Sequence, residues 1–370
     1  MENGQVGLHK TVIALLVLAL ALGVVAFAGY MGVAAAYSRA TVARVERDVT
    51  YCVVGNLPLK MGIYHPRSTN RVVPALLYVH GGGWTKGDKA AGAGTREIGG
   101  MVRRSYLVAA VNYRLAPEHK FPAQIEDVKC AVRFLRANAR AYGLDPKRIG
   151  AWGGSAGGHL VSLLGLTDRS AGLEGPGGYV DKSSRVQAVV DMFGLIDLTQ
   201  VFNGANPRIL QEVFNVTGPD SEILKWASPV TYASSDDPPF LILHGAKDVL
   251  VPVSQSLELC DRLRAVGVSV NLVIVKNAGH SFAPVGGKIR PTRAEVTKMV
   301  ADFFDEHLKQ LYETQADVLG QSRLFGSASN TVIEPKTMDL GWCRWLGLEG
   351  AFASGSEPLT HRFLRSEYSG

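Results

Sequence analysis

The sequence predicts an α/β protein built on one doubly wound, mostly parallel sheet, with antiparallel N-terminal strands and at most a small cap. Two observations support this prediction. Short apolar runs alternate with amphipathic helical patterns from about residue 70 to residue 312. Hydrophobic residues make up 46% of the 370 residues and charged residues only 19%, so the chain can bury a large core. This composition excludes disorder as the main state.

The predicted strands are of two kinds. Residues 42–52 and 57–64 flank Gly55-Asn56 and predict an antiparallel strand pair. The later strands are continuous apolar runs, as strands buried on both faces of a parallel sheet require. They span residues 75–79, 107–111, 149–152, 188–190, 240–243 and 270–275.

Helical patterns lie between these strands. The predicted helices span residues 122–142, 156–166, 257–266 and 292–311. Asp145-Pro146 predicts a tight turn or a helix start before the strand at 149–152. The segment 193–232 is expected to roof a substrate pocket, while its aromatic residues fit the core equally well: Phe202, Phe214 and Trp226.

The N-terminal region contains a membrane-type segment. Residues 11–37 carry no charge, and as a helix they would extend about 40 Å, more than the ~30 Å hydrocarbon core of a bilayer. A secretory apolar region is normally only about 7–15 residues long. We therefore expect residues 1–40 to hold a membrane anchor. A signal peptide cleaved near Ala34-Ala35-Ala36 and a buried soluble helix are the alternatives.

The rest of the chain divides at about residue 314. We expect residues 41–314 to form the main domain, outside the cytoplasm. Flanking basic residues leave the orientation open, because a plain count would keep this domain inside: Lys10 before the segment, and Arg39, Arg44 and Arg47 after it. Residues 315–370 are rich in Gly and Ser and predict a poorly ordered tail, with packing over the main domain as the alternative.

Charge and cysteine patterns exclude several kinds of site. The net charge is +6, but no run of Lys or Arg exceeds two residues, so we expect no nucleic-acid partner. The cysteines stand far apart, without the CxxC or Cys/His spacing of a metal site: Cys52, Cys130, Cys260 and Cys343. One or two disulfides and four buried thiols fit this spacing equally well.

The strongest chemical signal is Gly153-x-Ser155-x-Gly157, which lies between the strand at 149–152 and the helix at 156–166. A serine on a sharp strand-to-helix turn needs glycines two positions away on either side, because the neighbouring backbone crowds it. The helix N-terminus beyond it favours developing negative charge. Glycine-rich chains produce this motif by chance, but its strand–turn–helix setting predicts a nucleophilic serine.

A second signal is His80-Gly-Gly-Gly-Trp84, at the end of an apolar strand. Residues without side chains let backbone N–H groups point at an anionic oxygen, as in HGGG-type oxyanion loops. A glycine-rich turn or a phosphate loop is the alternative, but a dinucleotide fingerprint would need GxGxxG opening a helix. We expect Gly82, Gly83 and Ala156 to supply the N–H groups.

Asp248 and His280 complete the third signal, since each follows an apolar strand. The chain order Ser155, Asp248, His280 is that of α/β-hydrolases, and open α/β sheets place their sites at the carboxyl ends of strands. We expect His280 to take the proton of Ser155, and Asp248 to orient the ring and stabilise its cation. No metal or organic cofactor is expected.

Other residues are expected to support this site. His80 is expected to hold the oxyanion loop by hydrogen bonding, and Trp84 either to stack on a substrate ring or to pack beneath the loop. Asp191 ends a different strand and precedes Asp248 in the chain, so we interpret it as a supporting residue rather than the acid of the triad. His244 is expected to be a packed histidine.

Several sequence blocks together carry a family resemblance. They are His80–Trp84 with Gly87-Asp88-Lys89, residues 112–116, 121–129 and 143–146, the serine motif, and Gly157-Gly158-His159-Leu160. With these blocks the sequence resembles the hormone-sensitive-lipase-like and BD-FAE-like esterases over about residues 45–312, and residues 124–129 and 157–160 look closest to the BD-FAE branch. The resemblance implies an α/β-hydrolase fold with Ser155, Asp248 and His280 as triad and Gly82, Gly83 and Ala156 at the oxyanion hole.

The expected function is a serine carboxylic-ester hydrolase that forms an acyl-enzyme and acts on short-chain, carbohydrate-linked or aromatic esters. A serine peptidase or amidase on the same fold is the alternative, although such peptidases usually carry a large extra domain. A non-catalytic hydrolase-fold interaction protein is the contrasting class, and it typically lacks a member of the triad. The expected partners are a small-molecule ester and, through residues 1–40, a membrane. The oligomeric state stays open.

Overall fold

One mixed sheet of eight strands organises the part of the chain that the computed structural model describes, residues 44–67, 72–201, 207–218 and 220–309. In chain order the strands are β1 (Arg44–Val54), β2 (Leu57–His65), β3 (Val73–Val79), β4 (Leu107–Val111), β5 (Leu144–Gly154), β6 (Ala188–Met192), β7 (Phe240–Gly245) and β8 (Val270–Val275). Across the sheet their order is β1-β2-β4-β3-β5-β6-β7-β8. The predicted α/β fold is confirmed.

The antiparallel part lies at one edge of this sheet. β1 pairs with β2 around a turn at Gly55, whose φ of 58° suits glycine, and β2 pairs antiparallel with β4. The strands from β3 to β8 are paired in parallel. β3, β4, β6 and β7 are buried along their whole length, and their sequences are accordingly apolar, apart from Asp191 on β6 and His244 on β7.

Helices cover both faces of the sheet. In chain order they are α1 (Thr95–Arg103), α2 (Ala123–Ala137), α3 (Ala139–Tyr142), α4 (Ala156–Leu166), α5 (Leu198–Val201), α6 (Pro207–Phe214), α7 (Glu222–Ala227), α8 (Ser254–Ala265) and α9 (Arg293–Leu308). Ala75, Leu77 and Val79 of β3 join one buried cluster, while Leu76 and Tyr78 join a second. This alternation places a separate apolar core on each face of the sheet.

The structure corrects the predicted helix at 122–142, which is divided at Asn138 into α2 and α3. The Asn138 side chain donates a hydrogen bond to the carbonyl of Phe134 at 2.9 Å, so a local side-chain contact competes with continued helix at this point. Helix α1 was not predicted from the sequence, because Gly99-Gly100 weaken its helical pattern.

Strand β5 begins at Leu144, five residues earlier than predicted, and therefore contains Asp145-Pro146. The Lys147 N–H donates to Asp145 Oδ1 at 2.9 Å, so a local turn of the predicted kind is present within the strand, whereas no helix begins at this dipeptide. Leu144 pairs with Val73 of β3, and the pairing then shifts register before Ile149. The irregularity accommodates the proline, because a proline cannot donate a ladder hydrogen bond.

One disulfide joins Cys52 on β1 to Cys130 on α2, across a sequence separation of 78 residues. Cys260 on α8 is a buried free thiol. Cys343 lies outside the described residues. Of the alternatives that the cysteine spacing left open, a single disulfide is therefore present in the described part of the chain.

The segment at 11–37 and the tail at 315–370 also lie outside the described residues. Among the helices that are described, none is both long enough and apolar enough to cross a bilayer. The predicted anchor, the tail and the domain bounds at residues 40 and 314 therefore stay predictions.

Candidate active site

A cavity of about 670 Å³ lies at the carboxyl edge of the sheet. Residues that follow four neighbouring strands line it: Ser155 after β5, Phe193 after β6, Val251 after β7 and His280 after β8. One wall is the glycine-rich segment 81–87. Another is mainly apolar and includes residues that are distant in sequence, among them Leu195, Ile209, Leu210 and Leu250. The volume suits a small organic substrate.

Ser155 occupies a strained turn between β5 and α4, with φ 57° and ψ −123°. A Cβ at Gly153 would lie 2.5 Å from the backbone of Gly157, and a Cβ at Gly157 would lie 2.2 Å from the carbonyl oxygen of Val79. Both positions therefore require glycine. The Ser155 N–H donates to the carbonyl of Met192 on β6 at 2.9 Å, which fixes the turn against the neighbouring strand.

Gly82 and Gly83 line the cavity on the loop after β3, with φ of 116° and 61°. The loop lies directly against the serine turn, because a Cβ at Gly81 would be only 3.4 Å from the Cβ of Ser155. Ala156 begins α4, where the first N–H groups have no partner inside the helix. The glycine loop and the start of α4 thus both lie beside Ser155.

His80 supports the glycine loop from within the core rather than from the cavity. Its Nδ1–H donates to the carbonyl of Gly81 at 2.7 Å, and its ring stacks on Tyr113 with centroids 4.3 Å apart. The Tyr113 hydroxyl donates in turn to the carbonyl of His80 at 3.0 Å. Burial lowers the pKa of His80, so a neutral ring forms these contacts at neutral pH.

Trp84 packs beneath the same loop, with 2% of its surface exposed. Its indole N–H donates to Nδ1 of His159 at 3.1 Å, and His159 Nε2–H donates to the carbonyl of Ala227 at 2.8 Å. Burial lowers the pKa of His159 to about 4, so the neutral ring accepts on one nitrogen and donates on the other. Of the two roles expected for Trp84, packing is the one that this geometry favours.

Asp248 and His280 form a direct pair, with His280 Nδ1 donating to Asp248 Oδ2 at 2.7 Å. The other carboxylate oxygen accepts the N–H groups of Leu250 and Val251, both at 2.9 Å. Burial opposes ionisation of Asp248, but hydrogen bonds from His244, His280 and Val251 outweigh it and hold the pKa of this carboxyl well below its ordinary value. Asp248 is therefore an anion at neutral pH.

His244, on β7, contacts the same carboxylate from the side that faces the protein interior. Its Nε2 lies 2.9 Å from the carbonyl of Val251 and 3.5 Å from Asp248 Oδ2, while its Nδ1 accepts from the Ser256 hydroxyl at 2.7 Å. The ring is fully buried, as expected for a packed histidine. Its contact with Asp248 was missed from the sequence, where the spacing of four residues between a strand and its following loop was the available signal.

Asp191, at the end of β6, faces the start of α4 and the loop after β6. Its Oδ1 accepts the N–H of Gly194 at 2.9 Å, and a Cβ at Gly158 would lie 2.3 Å from the same oxygen. Its Oδ2 is buried without a hydrogen-bond partner. Burial raises the pKa of Asp191 to about 7. The structure pairs His280 with Asp248 rather than with Asp191.

Ser155 and His280 share the cavity, but within the described residues no hydrogen bond joins Oγ to the ring. Such contacts are often long before substrate binds. Phe193 contacts the His280 ring edge-on at a centroid distance of 4.9 Å and limits its movement. The arrangement can deliver a proton acceptor to the serine with a fixed carboxylate behind it.

The segment 193–232, which was expected to roof a pocket, contributes four residues to the cavity, although none of them was singled out from the sequence: Phe193, Leu195, Ile209 and Leu210. Phe214 and Trp226, considered as roof residues, pack against Phe121 with centroid distances of 5.5 and 5.2 Å and do not line the cavity. Phe202 lies outside the described residues. In the described ranges, no cluster of three or more His, Cys, Asp or Glu side chains has the arrangement of a metal site.

The strand order, with the serine turn after β5, the aspartate after β7 and the histidine after β8, defines an α/β-hydrolase. Known proteins support this class and narrow it. The BD-FAE family profile matches residues 61–263, which is more than half of the chain. The chain therefore belongs to the BD-FAE family.

Two relatives from one bacterium carry ester-hydrolase names. The chain is 35% identical over 248 residues to the "Probable carboxylic ester hydrolase LipM" of Mycobacterium tuberculosis, covering 65% of this chain and 55% of the relative. It is 34% identical over 222 residues to "Esterase LipC" of the same organism, covering 58% of this chain and 54% of the relative. The chain thus spans about half the length of the curated relatives it matches.

The solved structures described next share the fold, and this chain covers a larger part of their length than of the curated relatives' length. A "truncated form of carbohydrate esterase from gut microbiota" has a TM-score of 0.65 at 28% identity, covering 73% of this chain and 98% of that one. Esterase 2 of Thermogutta terrifontis, phosphorylated by paraoxon, has a TM-score of 0.59 at 26% identity, with 71% and 94% covered. The same esterase with propionate bound has a TM-score of 0.60 at 27% identity, with 72% and 94% covered.

Proposed function

We propose that the protein is a serine carboxylic-ester hydrolase that works through an acyl-enzyme. The observation that carries the proposal is the convergence, on one cavity, of a serine on a strained turn and a histidine bonded to a buried carboxylate: Ser155, His280 and Asp248. The esterase names of the relatives and the paraoxon adduct of a structural neighbour support it.

In the proposed mechanism, Ser155 Oγ attacks the ester carbonyl carbon while Nε2 of His280 accepts the hydroxyl proton. The carbonyl oxygen becomes an oxyanion, which the N–H groups of Gly82, Gly83 and Ala156 would bind. The bond to the alcohol oxygen then breaks, and the His280 cation gives its proton to the departing alkoxide. Water, activated by the same ring, hydrolyses the acyl-enzyme and releases the acid.

Asp248 has two roles in this scheme. Its bond to Nδ1 fixes the tautomer of His280 with Nε2 free, and its negative charge stabilises the imidazolium formed during attack. Because two backbone N–H groups and His244 hold the carboxylate in place, it can keep this charge without solvent. The proposed nucleophile is thereby activated by a preorganised acceptor.

We further propose esters with short acyl groups as substrates. A cavity of about 670 Å³ with a mainly apolar wall fits a small acyl group, and the propionate-bound and carbohydrate-esterase neighbours support this size and class. Long lipid chains would need an extended apolar trough. Acetyl or similar groups on carbohydrate or aromatic alcohols are therefore the proposed targets.

Hydrolysis of a series of 4-nitrophenyl esters tests the proposed activity. We expect kcat/KM to be highest for acyl groups of about two to six carbons and to fall for longer chains, because the cavity limits their length. A maximum at about twelve or more carbons would contradict the proposed substrate class. Cleavage of peptide bonds without hydrolysis of any short ester would favour the alternative, a serine peptidase or amidase.

The site of action is also a proposal. The disulfide between Cys52 and Cys130 supports a catalytic domain outside the cytoplasm, since disulfides persist mainly in oxidising compartments. The uncharged segment at 11–37 supports attachment to, or passage through, a membrane. Protease treatment of intact cells tests the orientation: degradation of the catalytic domain is expected, and full protection until lysis would contradict it.

A further inference from the structure

The glycine-rich cavity wall carries one cation. Lys86 lines the cavity and is exposed, and its ammonium group makes no ion pair or side-chain hydrogen bond within the part of the chain that is described. The neighbouring Lys89, in contrast, pairs with Asp48 at 2.8 Å. Lys86 is thus available to a ligand.

No other charged side chain balances Lys86 inside the cavity. Among the described lining residues there is no Asp, Glu or Arg, and His280 is the remaining titratable group. The wall that includes Leu195, Ile209 and Leu250 is apolar. An anionic group entering the cavity would therefore meet a positive charge on a wall that contains no carboxylate, because the Asp248 anion lies behind His280 and does not line the cavity.

The backbone fixes Lys86 beside the loop that is proposed to bind the oxyanion. The Lys86 N–H donates to the carbonyl of Gly82 at 3.2 Å, and a Cβ on Gly82 would lie 2.0 Å from the Lys86 carbonyl oxygen. The backbone of Lys86, which carries the cationic side chain, is thus only one tight turn away from Gly82. A substrate whose carbonyl oxygen reaches the N–H of Gly82 would have its flanking groups within the field of Lys86.

We propose that Lys86 is a specificity-determining residue that favours esters carrying a negative charge, such as a carboxylate, a few bonds from the ester group. The inference rests on the proposed esterase function and adds a substrate class to it. The ammonium group would attract the anion while the apolar wall accommodates the rest of the substrate. Because Lys86 is exposed, solvent weakens the attraction, and a preference of about threefold to tenfold in kcat/KM is expected.

Two matched pairs of esters test the preference and show on which side of the ester the charge is read. 4-Acetoxybenzoate against 4-acetoxybenzamide places the charge on the alcohol side. The mono(4-nitrophenyl) ester of adipic acid against 4-nitrophenyl hexanoate places it on the acyl side. We expect the anionic member of at least one pair to have the higher kcat/KM, and the advantage to shrink as ionic strength rises.

Variants assign the effect to the residue. Lys86→Gln should remove the preference, Lys86→Glu should reverse it and Lys86→Arg should retain it, each read as the ratio of kcat/KM within a matched pair of esters. Lys147→Gln is the matched control, because Lys147 is exposed on the amino-terminal part of β5 and away from the cavity. It should leave every ratio unchanged.

The outcomes separate this inference from the function on which it rests. Equal kcat/KM within both pairs, or a preference that Lys86→Gln leaves intact, would overturn the role of Lys86 while the esterase proposal stands. Absence of hydrolysis for all four esters, together with all short 4-nitrophenyl esters, would overturn the esterase proposal itself.

Discussion

At the scale of single residues, two buried carboxyl groups at neighbouring strand ends have opposite environments. Asp248 accepts hydrogen bonds from two backbone N–H groups and from His280, and His244 Nε2 lies 3.5 Å from it, all of which favour its anion. Asp191 accepts one backbone N–H and has an unpartnered second oxygen, so burial favours its neutral form. Only the first environment suits a residue that must stabilise a histidine cation.

Substitution of each carboxyl group tests this division. Asp248→Asn is expected to lower kcat/KM for a short ester by about 10²–10⁴-fold, because the amide cannot stabilise the His280 cation and can hold the wrong tautomer. Asp191→Asn is expected to lower it by less than about tenfold. Steady-state kinetics on purified, folded variants provide the measurement. The reverse ranking would make Asp191 the acid of the triad.

The contribution of Asp191 to the stability of the unsubstituted protein should depend on pH in a defined direction. Folding raises the pKa of Asp191 from 3.8 to about 7, so the folded protein binds a proton that the unfolded chain releases between these values. The contribution of this group is therefore full below about pH 4 and is lost as pH rises through about 7, by up to about 4 kcal/mol.

Denaturant unfolding of both proteins from pH 4 to pH 8 provides the measurement. The asparagine variant lacks this loss, so its free energy of unfolding relative to the unsubstituted protein should increase as pH rises from 4 to 7. The asparagine amide still faces Gly194 and His244, and any loss of stability from these contacts is the same at every pH. It therefore does not change how the difference in unfolding free energy varies with pH. A difference that stays constant across this range would contradict a neutral, buried Asp191.

At the scale of elements, the glycine loop after β3 is expected to act through its backbone, and one pair of glycines separates backbone strain from function. Gly83 and Gly143 have nearly equal φ, 61° and 63°. A Cβ at Gly143 would have no atom within 4 Å, and one at Gly83 would meet only the Ile209 side chain at 3.8 Å. An added methyl group should therefore strain the backbone similarly at both positions. The difference is that Gly83 lines the cavity and Gly143 does not.

Alanine at either position should cost similar stability, about 1 kcal/mol, because both side chains would sit in left-handed backbone. Gly83→Ala should in addition lower kcat by about tenfold or more, since relaxation of the loop would move an oxyanion donor. Gly143→Ala should retain kcat. Thermal unfolding and kinetics on both variants check this, and equal kcat values would argue against a role for the loop in binding the oxyanion.

Part of the site could be predicted from sequence because each element signals itself locally. The parallel strands contain short, mainly apolar runs, and Ser155, Asp248 and His280 each follow one of these strands, so their convergence at one edge follows from parallel pairing. The apolar wall could not be predicted in this way. Ile209 and Leu250 come from segments whose sequences carry no period that indicates a cavity, and only tertiary packing brings them together.

At the scale of the whole molecule, the disulfide ties the antiparallel edge to the helical layer. Cys52 lies on β1 and Cys130 on α2, and neither lines the cavity. Their pairing could not be derived from the sequence, because cysteine spacing alone leaves the connectivity open. The cross-link closes a loop that contains strands β2, β3 and β4.

Removal of this cross-link should affect stability more than catalysis. The double variant Cys52→Ala/Cys130→Ala is expected to lose about 2–5 kcal/mol of unfolding free energy, because the unfolded chain regains the freedom of a long loop. Its kcat at 25 °C should stay within about twofold, since the cavity is elsewhere. Denaturant unfolding and ester hydrolysis provide the two readouts. A large fall in kcat with unchanged stability would contradict this separation.

The central claim is that Ser155 is the nucleophile of a serine hydrolase, and covalent labelling by paraoxon tests it most directly. A diethylphosphoryl adduct should form on the peptide that contains Ser155, in parallel with loss of ester hydrolysis, and Asp248→Asn should slow its formation. Ser155→Ala should abolish both labelling and hydrolysis while its thermal unfolding stays close to that of the unsubstituted protein. Ester hydrolysis that survives in Ser155→Ala, or an inactivating adduct on a different residue, would contradict the account.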